Sequence, residues 1–208
     1  MILTIKQENG LRIAVERYKM NEKYTVIAGY AGTGKSTLIK FIVAALDLRP
    51  EDICYVAYTG KAATILQQKG CPNATTVHKL LYHARPLPDG TFKFVEKTSL
   101  EFKVVVVDEV SMLPKSMWNR LLKHNVYVLA CGDPGQLPPV DKDEDNHVLD
   151  NPHIFLDEIM RQAQDSEIIR LSMWIRDGKA LKDFPYLGEQ VKIFSPKEVV
   201  SGMYNWAD

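Results

Sequence analysis

Residues 29–36 read GYAGTGKS, with the apolar run TVIA before them and TLIKFIVAAL, a segment of helical composition, after them. No other stretch constrains the fold as strongly. Glycines at 29, 32 and 34 let successive backbone N–H groups turn inward without side-chain clash. A helix starting near Lys35 directs the positive end of its dipole at the same point. The spacing Gly29-x-x-x-x-Gly34-Lys35-Ser36 matches the P-loop pattern, in the strand-to-helix context that the pattern requires. Lys35 is expected to reach nucleotide phosphates as a mobile point charge, and the Ser36 hydroxyl to ligate Mg²⁺. Ala31, Gly32, Thr33 and Thr37 complete the expected binding segment.

Four short apolar runs, 24–28, 53–58, 103–107 and 126–131, lack polar alternation and read as strands buried on both faces. Helices are expected at 35–46, 61–69 and 115–124, and over the opening residues, where Leu11, Ala14, Val15 and Tyr18 recur at helical spacing. Strand and helix in alternation predict an α/β fold, a parallel sheet flanked by helices with right-handed crossovers. Residues 84–101 break the rhythm with a Pro-Asp-Gly turn and the alternating TFKFVEK, which predicts an inserted β-hairpin. The expected organisation is one main domain over 1–83 and 102–208 with this small subdomain between. Residues 138–153, rich in proline and acid, read as a surface loop. Ile168, Leu171 and Ile175 predict a later helix, and Ser195, Pro196 and Glu198 a capped one near the end.

A phosphate site that hydrolyses needs a carboxylate to anchor metal at the end of a neighbouring strand. VVVVDE supplies Asp108 for that role, and Glu109 to orient and deprotonate an attacking water. The 26 acidic and 26 basic residues balance, so no global field draws the chain to nucleic acid or membrane. Any polyanion site must be a local arrangement. Three scattered cysteines fit reduced thiols. The opening MILTIKQENG lacks a secretory profile, and no apolar run nears the roughly 18 residues that span a membrane. A cytoplasmic location without membrane association is the expectation.

DEVSM at 108–112 and GDPGQLPPV at 132–140 resemble motifs II and III of superfamily 1 helicases, in the RecD-like branch that includes small phage helicases and the exonuclease V alpha subunit. YTGKAA at 58–63 is similar to motif Ia, TTVHKLL at 75–81 to the next DNA-contact motif, and LDEIMRQAQDSEI at 156–168 to motif IV. The resemblance implies a RecA-like ATPase using ATP and Mg²⁺, moving 5′-to-3′ on single-stranded DNA in recombination, repair or replication, with nuclease or recombination subunits as candidate partners. It implies that Lys35 contacts the β- and γ-phosphates, that Gln136 touches γ-phosphate and attacking water, and that Arg161 is an arginine finger. Otherwise Gln136 is an ordinary loop residue, and Arg161 a surface partner of Asp157 or Glu158. Gln7 sits where the family reads adenine, yet Thr4-x-x-Gln7 is also a capping box, and both readings stand. Thr59, Gly60, Lys61, Thr76 and His78 are implied to line the DNA track, His78 being equally readable as a packed side chain. The 84–101 insertion lies where such helicases carry a strand-splitting pin; Phe92 and Phe94 could stack on a base or pack the hairpin down.

Nothing after residue 175 resembles the second RecA-like domain that closes on ATP in these motors. A second domain is therefore expected C-terminal to residue 208, and the chain by itself is expected to hydrolyse Mg-ATP slowly with little DNA stimulation. The competing class is a non-motor P-loop protein, a nucleotide-dependent switch or accessory subunit acting through a partner. A small-molecule kinase is weaker, since no Arg-rich lid segment is present.

Overall fold

The computed structural model describes residues 3–160, 165–185, 188 and 191. Internal contacts divide the chain into Met1–Glu158 and Ile159–Asp208. In the first unit, α1 (Ile5–Lys19) starts at Thr4, whose side chain accepts from the Gln7 N–H while the Gln7 side chain accepts from the Thr4 N–H. Then follow β1 (Tyr24–Gly29), α2 (Lys35–Ala45), β2 (Ile53–Ala57), α3 (Gly60–Gln68), β3 (Thr75–Thr76) and α4 (Val77–Leu81). The hairpin β4 (Tyr82–Pro86) and β5 (Phe92–Glu96) precedes β6 (Val104–Val107), α5 (Lys115–Leu121), β7 (Tyr127–Gly132) and β8 (Ile154–Leu156). Six strands form one parallel sheet in the order β3-β2-β6-β7-β1-β8.

Alternation along each strand decides which helices it meets. Val104 and Val106 join Ile53, Tyr55, Leu129 and Ile27 in a core closed by residues of α1, α2 and α3. Val105 and Val107 face the other way, with Cys54, Val56 and Val128, against residues of α4 and α5. Helices thus cover both faces, and the apolar runs are explained. Each buried valine side chain contributes about 1.5–3 kcal/mol, so β6, valine throughout, is a stiff base for the residues that follow it.

The four expected strands and four expected helices form, with ends shifted by one to three residues. Two strands had no such signal. β3 is two residues long, and β8 is three, too short to show a pattern. The loop over 138–153 is less free than its composition suggests. Asn146 donates its amide to the carbonyls of Val110 (2.8 Å) and Leu113 (2.6 Å), and Val148 and Leu149 pack on the core. At its end His153 brackets Val26: its N–H donates to the Val26 carbonyl (3.1 Å), and its Nδ1 accepts from the Val26 N–H (3.0 Å).

The hairpin begins at Tyr82, two residues before the expected segment, because His83 and Arg85 pair with Val95 and Lys93 despite the proline beside them. Its face carrying Tyr82, Phe92 and Phe94 is anchored at the root. His78 stacks on Tyr82 (4.7 Å between centroids) and meets Phe94 edge-on (4.5 Å), while Arg120 pairs with Glu96 and lies over the Tyr82 ring.

In the second unit α6 (Glu167–Arg176) leaves Ile168 and Ile175 more than half exposed, and Trp174 donates to the Ala180 carbonyl (2.8 Å). Arg161 and the helix expected from Ser195 lie outside the described residues. Among the described residues no helix is long and apolar enough to cross a membrane.

Candidate nucleotide site

Because all six strands run parallel, their C-terminal ends share one edge. The registers Ile27↔Cys131 and Val107↔Ala130 bring together the residues that leave β1, β6 and β7. Those are Gly29 with its loop, the pair Asp108–Glu109, and the turn starting at Asp133. Ligands of open α/β sheets bind outside this end of the strands.

Gly29 has no room for a side chain. A Cβ there would stand 2.7 Å from the Leu156 carbonyl oxygen and 2.8 Å from Thr33 Oγ1. Gly34 caps α2 in the left-handed region (φ 81°), and no side chain caps the first turn. The uncapped amides and the helix dipole are what an anion requires. The loop is braced from inside. Buried Thr33 donates its hydroxyl to the Tyr30 carbonyl (2.8 Å), and the Gln7 amide donates to the Thr33 carbonyl (3.4 Å). Gln7 therefore makes the capping box and also ties α1 to the phosphate loop; the box is realised, and the adenine reading is a separate matter. Lys35 Nζ donates to the carbonyls of Gly29 (2.6 Å) and Tyr30 (2.9 Å), and α2 leaves the Ser36 side exposed. Ala31 is exposed beside it, and Thr37 half-buried.

Asp108 Oδ1 accepts from the Glu109 N–H (3.0 Å) and from the Cys131 thiol (3.2 Å). Among the described residues Oδ2 has no hydrogen-bond donor. Burial pushes the Cys131 thiol well above its ordinary range, and the Asp108 carboxylate pushes it further, while the Lys35 ammonium pulls it partly back. Glu109 is held in the left-handed region (φ 53°, ψ 47°), a costly conformation for a residue with a Cβ, and strain of this kind gathers at functional sites. Its carboxylate has no partner among the described residues.

In the turn after β7, Asp133 Oδ1 accepts from the Gly135 N–H (2.8 Å), and its carbonyl from the Gln136 N–H (3.0 Å). Gln136 and Leu137 are exposed. Gln136 shares a cavity of about 260 Å³ with Ser111 and Asn146. The donor set suits Mg-nucleotide: an open carboxylate oxygen, an exposed hydroxyl, an ammonium and uncapped amides meet at one strand edge.

Thr59 and Thr76 lie further along the same edge, where the register sets Thr76 beside Ala57, two residues before Thr59. Each caps the helix after it, accepting from Ala62 N–H and Lys79 N–H at 3.2 Å. Gly60 and Lys61 are exposed. His78 is the exception on that rim, its ring occupied by the hairpin aromatics. Asp157, one partner weighed for Arg161, is paired with Lys6.

The thiol of Cys131 on Asp108 and the bracket formed by His153 had no signal in the sequence. Both depend on strand register, which places residues 23 and 127 positions apart in contact.

A family profile described as an AAA domain matches residues 7–195. The chain is similar to the ATP-dependent RecD2 DNA helicase of Deinococcus radiodurans, 33% identical over 163 residues, covering 76% of this chain and 22% of that protein. It is similar to the ATP-dependent DNA helicase dda of Enterobacteria phage T4, 28% identical over 207 residues, covering 93% of this chain and 47% of that one. Among solved structures, the Pif1 helicase from Candida albicans matches all of this chain and 54% of its own, with a TM-score of 0.59 at 23% identity, a likeness of fold. The chain spans less than half the length of these curated relatives.

Proposed function

Since the chain belongs to the AAA domain family and is similar to RecD-like helicases, we propose that it is the first RecA-like motor domain of an ATP-dependent DNA helicase. One observation carries this reading: the strand order β6-β7-β1 and its parallel register set the loop that follows β1 and the pair Asp108–Glu109 that follows β6 at the same edge of the sheet, on either side of β7. In the proposed reaction Lys35 leaves the loop carbonyls for the β- and γ-phosphates, and the amides at the start of α2 hold the phosphate oxygens. Ser36 and Asp108 would hold Mg²⁺, which neutralises charge on the phosphoryl group. Glu109 takes the proton of the attacking water, and Gln136 orients that water. Arg161 stabilises developing charge on the γ-phosphate, and Gln7 lies beside the adenine.

Thr59, Gly60, Lys61 and Thr76 form the proposed rim for single-stranded DNA, offering hydroxyls, a bare amide and a cation to its phosphates. His78 contributes by holding the hairpin, whose Phe92 and Phe94 are the proposed base-stacking face of a pin. Translocation is proposed to run 5′-to-3′, in recombination, repair or replication.

The test is ATP turnover with and without single-stranded DNA, on this chain and on one extended at its C-terminus. Lys35→Ala should abolish turnover in both with the circular dichroism spectrum unchanged. Wild-type turnover equal to that of Lys35→Ala, or an extended chain indifferent to DNA, contradicts the motor reading. Nucleotide binding without turnover would leave the switch as the better account.

A further inference from the structure

We infer that Cys131 is a positioning residue for the Asp108 carboxylate, its S–H fixing Oδ1 so that Oδ2 is presented to the metal of the nucleotide. The inference rests on the reading of Asp108 as a metal-holding residue and adds the element that orients it.

The geometry is specific. Cys131 is the last residue but one of β7 and is 1% exposed, so solvent cannot take over its contact. Its neighbours on the same face of β7, Tyr127 and Leu129, pack into the core beneath α1 and α2. At that depth a side chain is ordinarily hydrocarbon. Here it is a donor, 3.2 Å from Asp108 Oδ1. The second donor to that oxygen is the Glu109 N–H at 3.0 Å. Two donors on one oxygen set the rotation of the carboxylate, which one donor alone leaves loose. Ligating carboxylates depend on such outer partners, whose removal commonly weakens metal affinity by 10–100-fold. A thiol is a weak donor, so the lower end of that range is expected.

Calorimetric affinity for ATPγS, measured over a series of Mg²⁺ concentrations and in EDTA, reads this directly. Cys131→Ala should raise the Mg²⁺ concentration for half-maximal tightening by roughly tenfold, with affinity in EDTA unchanged. Cys131→Ser, which keeps a donor, should return the midpoint to within about twofold of wild type. Asp108→Asn should raise it at least as far as Cys131→Ala. If Cys131→Ala melts too low to titrate, Cys131→Val fills the volume without a donor and should show the same shift. A wild-type midpoint in Cys131→Ala or Cys131→Val, with Asp108→Asn shifted, overturns the role of Cys131 and leaves the nucleotide site standing. Cys131→Ser behaving as Cys131→Ala overturns it equally. An unshifted Asp108→Asn removes the reading of Asp108, and this inference with it.

Discussion

Val26 lies in β1, the strand that delivers the phosphate loop, and its backbone N–H and carbonyl are both satisfied by His153, the residue just before β8. The imidazole must be neutral at Nδ1 to accept. Burial lowers its pKa, Arg17 lowers it further, and Glu22 partly opposes them. Below about pH 6.5 the unfolded chain therefore binds a proton that the folded chain resists. Stability should fall as the pH is lowered through that window and level off once the folded-state pKa is passed. Urea midpoints between pH 8 and pH 5 should show this slope, and His153→Gln, which keeps an acceptor and does not titrate, should reduce it. An identical profile in both proteins would exclude His153 as the source. At Gly29 the obstacle is steric. Gly29→Ala puts a methyl on the Leu156 carbonyl, which is backbone and cannot swing aside. It should cost about 1–3 kcal/mol in denaturation and weaken ATP binding together with the fold.

Among the elements, the β4–β5 hairpin stands apart because it forms a two-stranded sheet of its own, clamped at its root. His78 between Tyr82 and Phe94 is the principal aromatic clamp, and such contacts contribute about 0.5–1.5 kcal/mol each. His78→Ala should raise amide exchange across Tyr82–Glu96 by about tenfold, while exchange in β6 and β7 is unchanged. Equal loss of protection in the sheet would mean that His78 supports the whole fold. In contrast, α2 is held by Leu38, Ile39 and Ile42 in the core while its first turn stays uncapped. Packing on one side lets its N-terminus stay open on the other.

For the molecule as a whole, the proposed reading makes the site at one end of the sheet one wall of a nucleotide cleft. ATP turnover by the 208-residue chain should accordingly be slow and change less than about twofold with single-stranded DNA; large stimulation in a coupled assay would contradict this. The parallel sheet, the phosphate loop and the Asp108–Glu109 pair were legible in the sequence, because each is encoded within a few consecutive residues. Apolar runs of four or five residues bury on both faces wherever they land, and GYAGTGKS can turn in few ways. What local sequence could not carry was contact across strands. The strand order, the short β8 that walls Gly29, the Cys131 thiol on Asp108, and the choice of His78 for packing all follow from register. Register is decided by many weak side-chain fits summed over the sheet, and no single stretch of chain contains that sum.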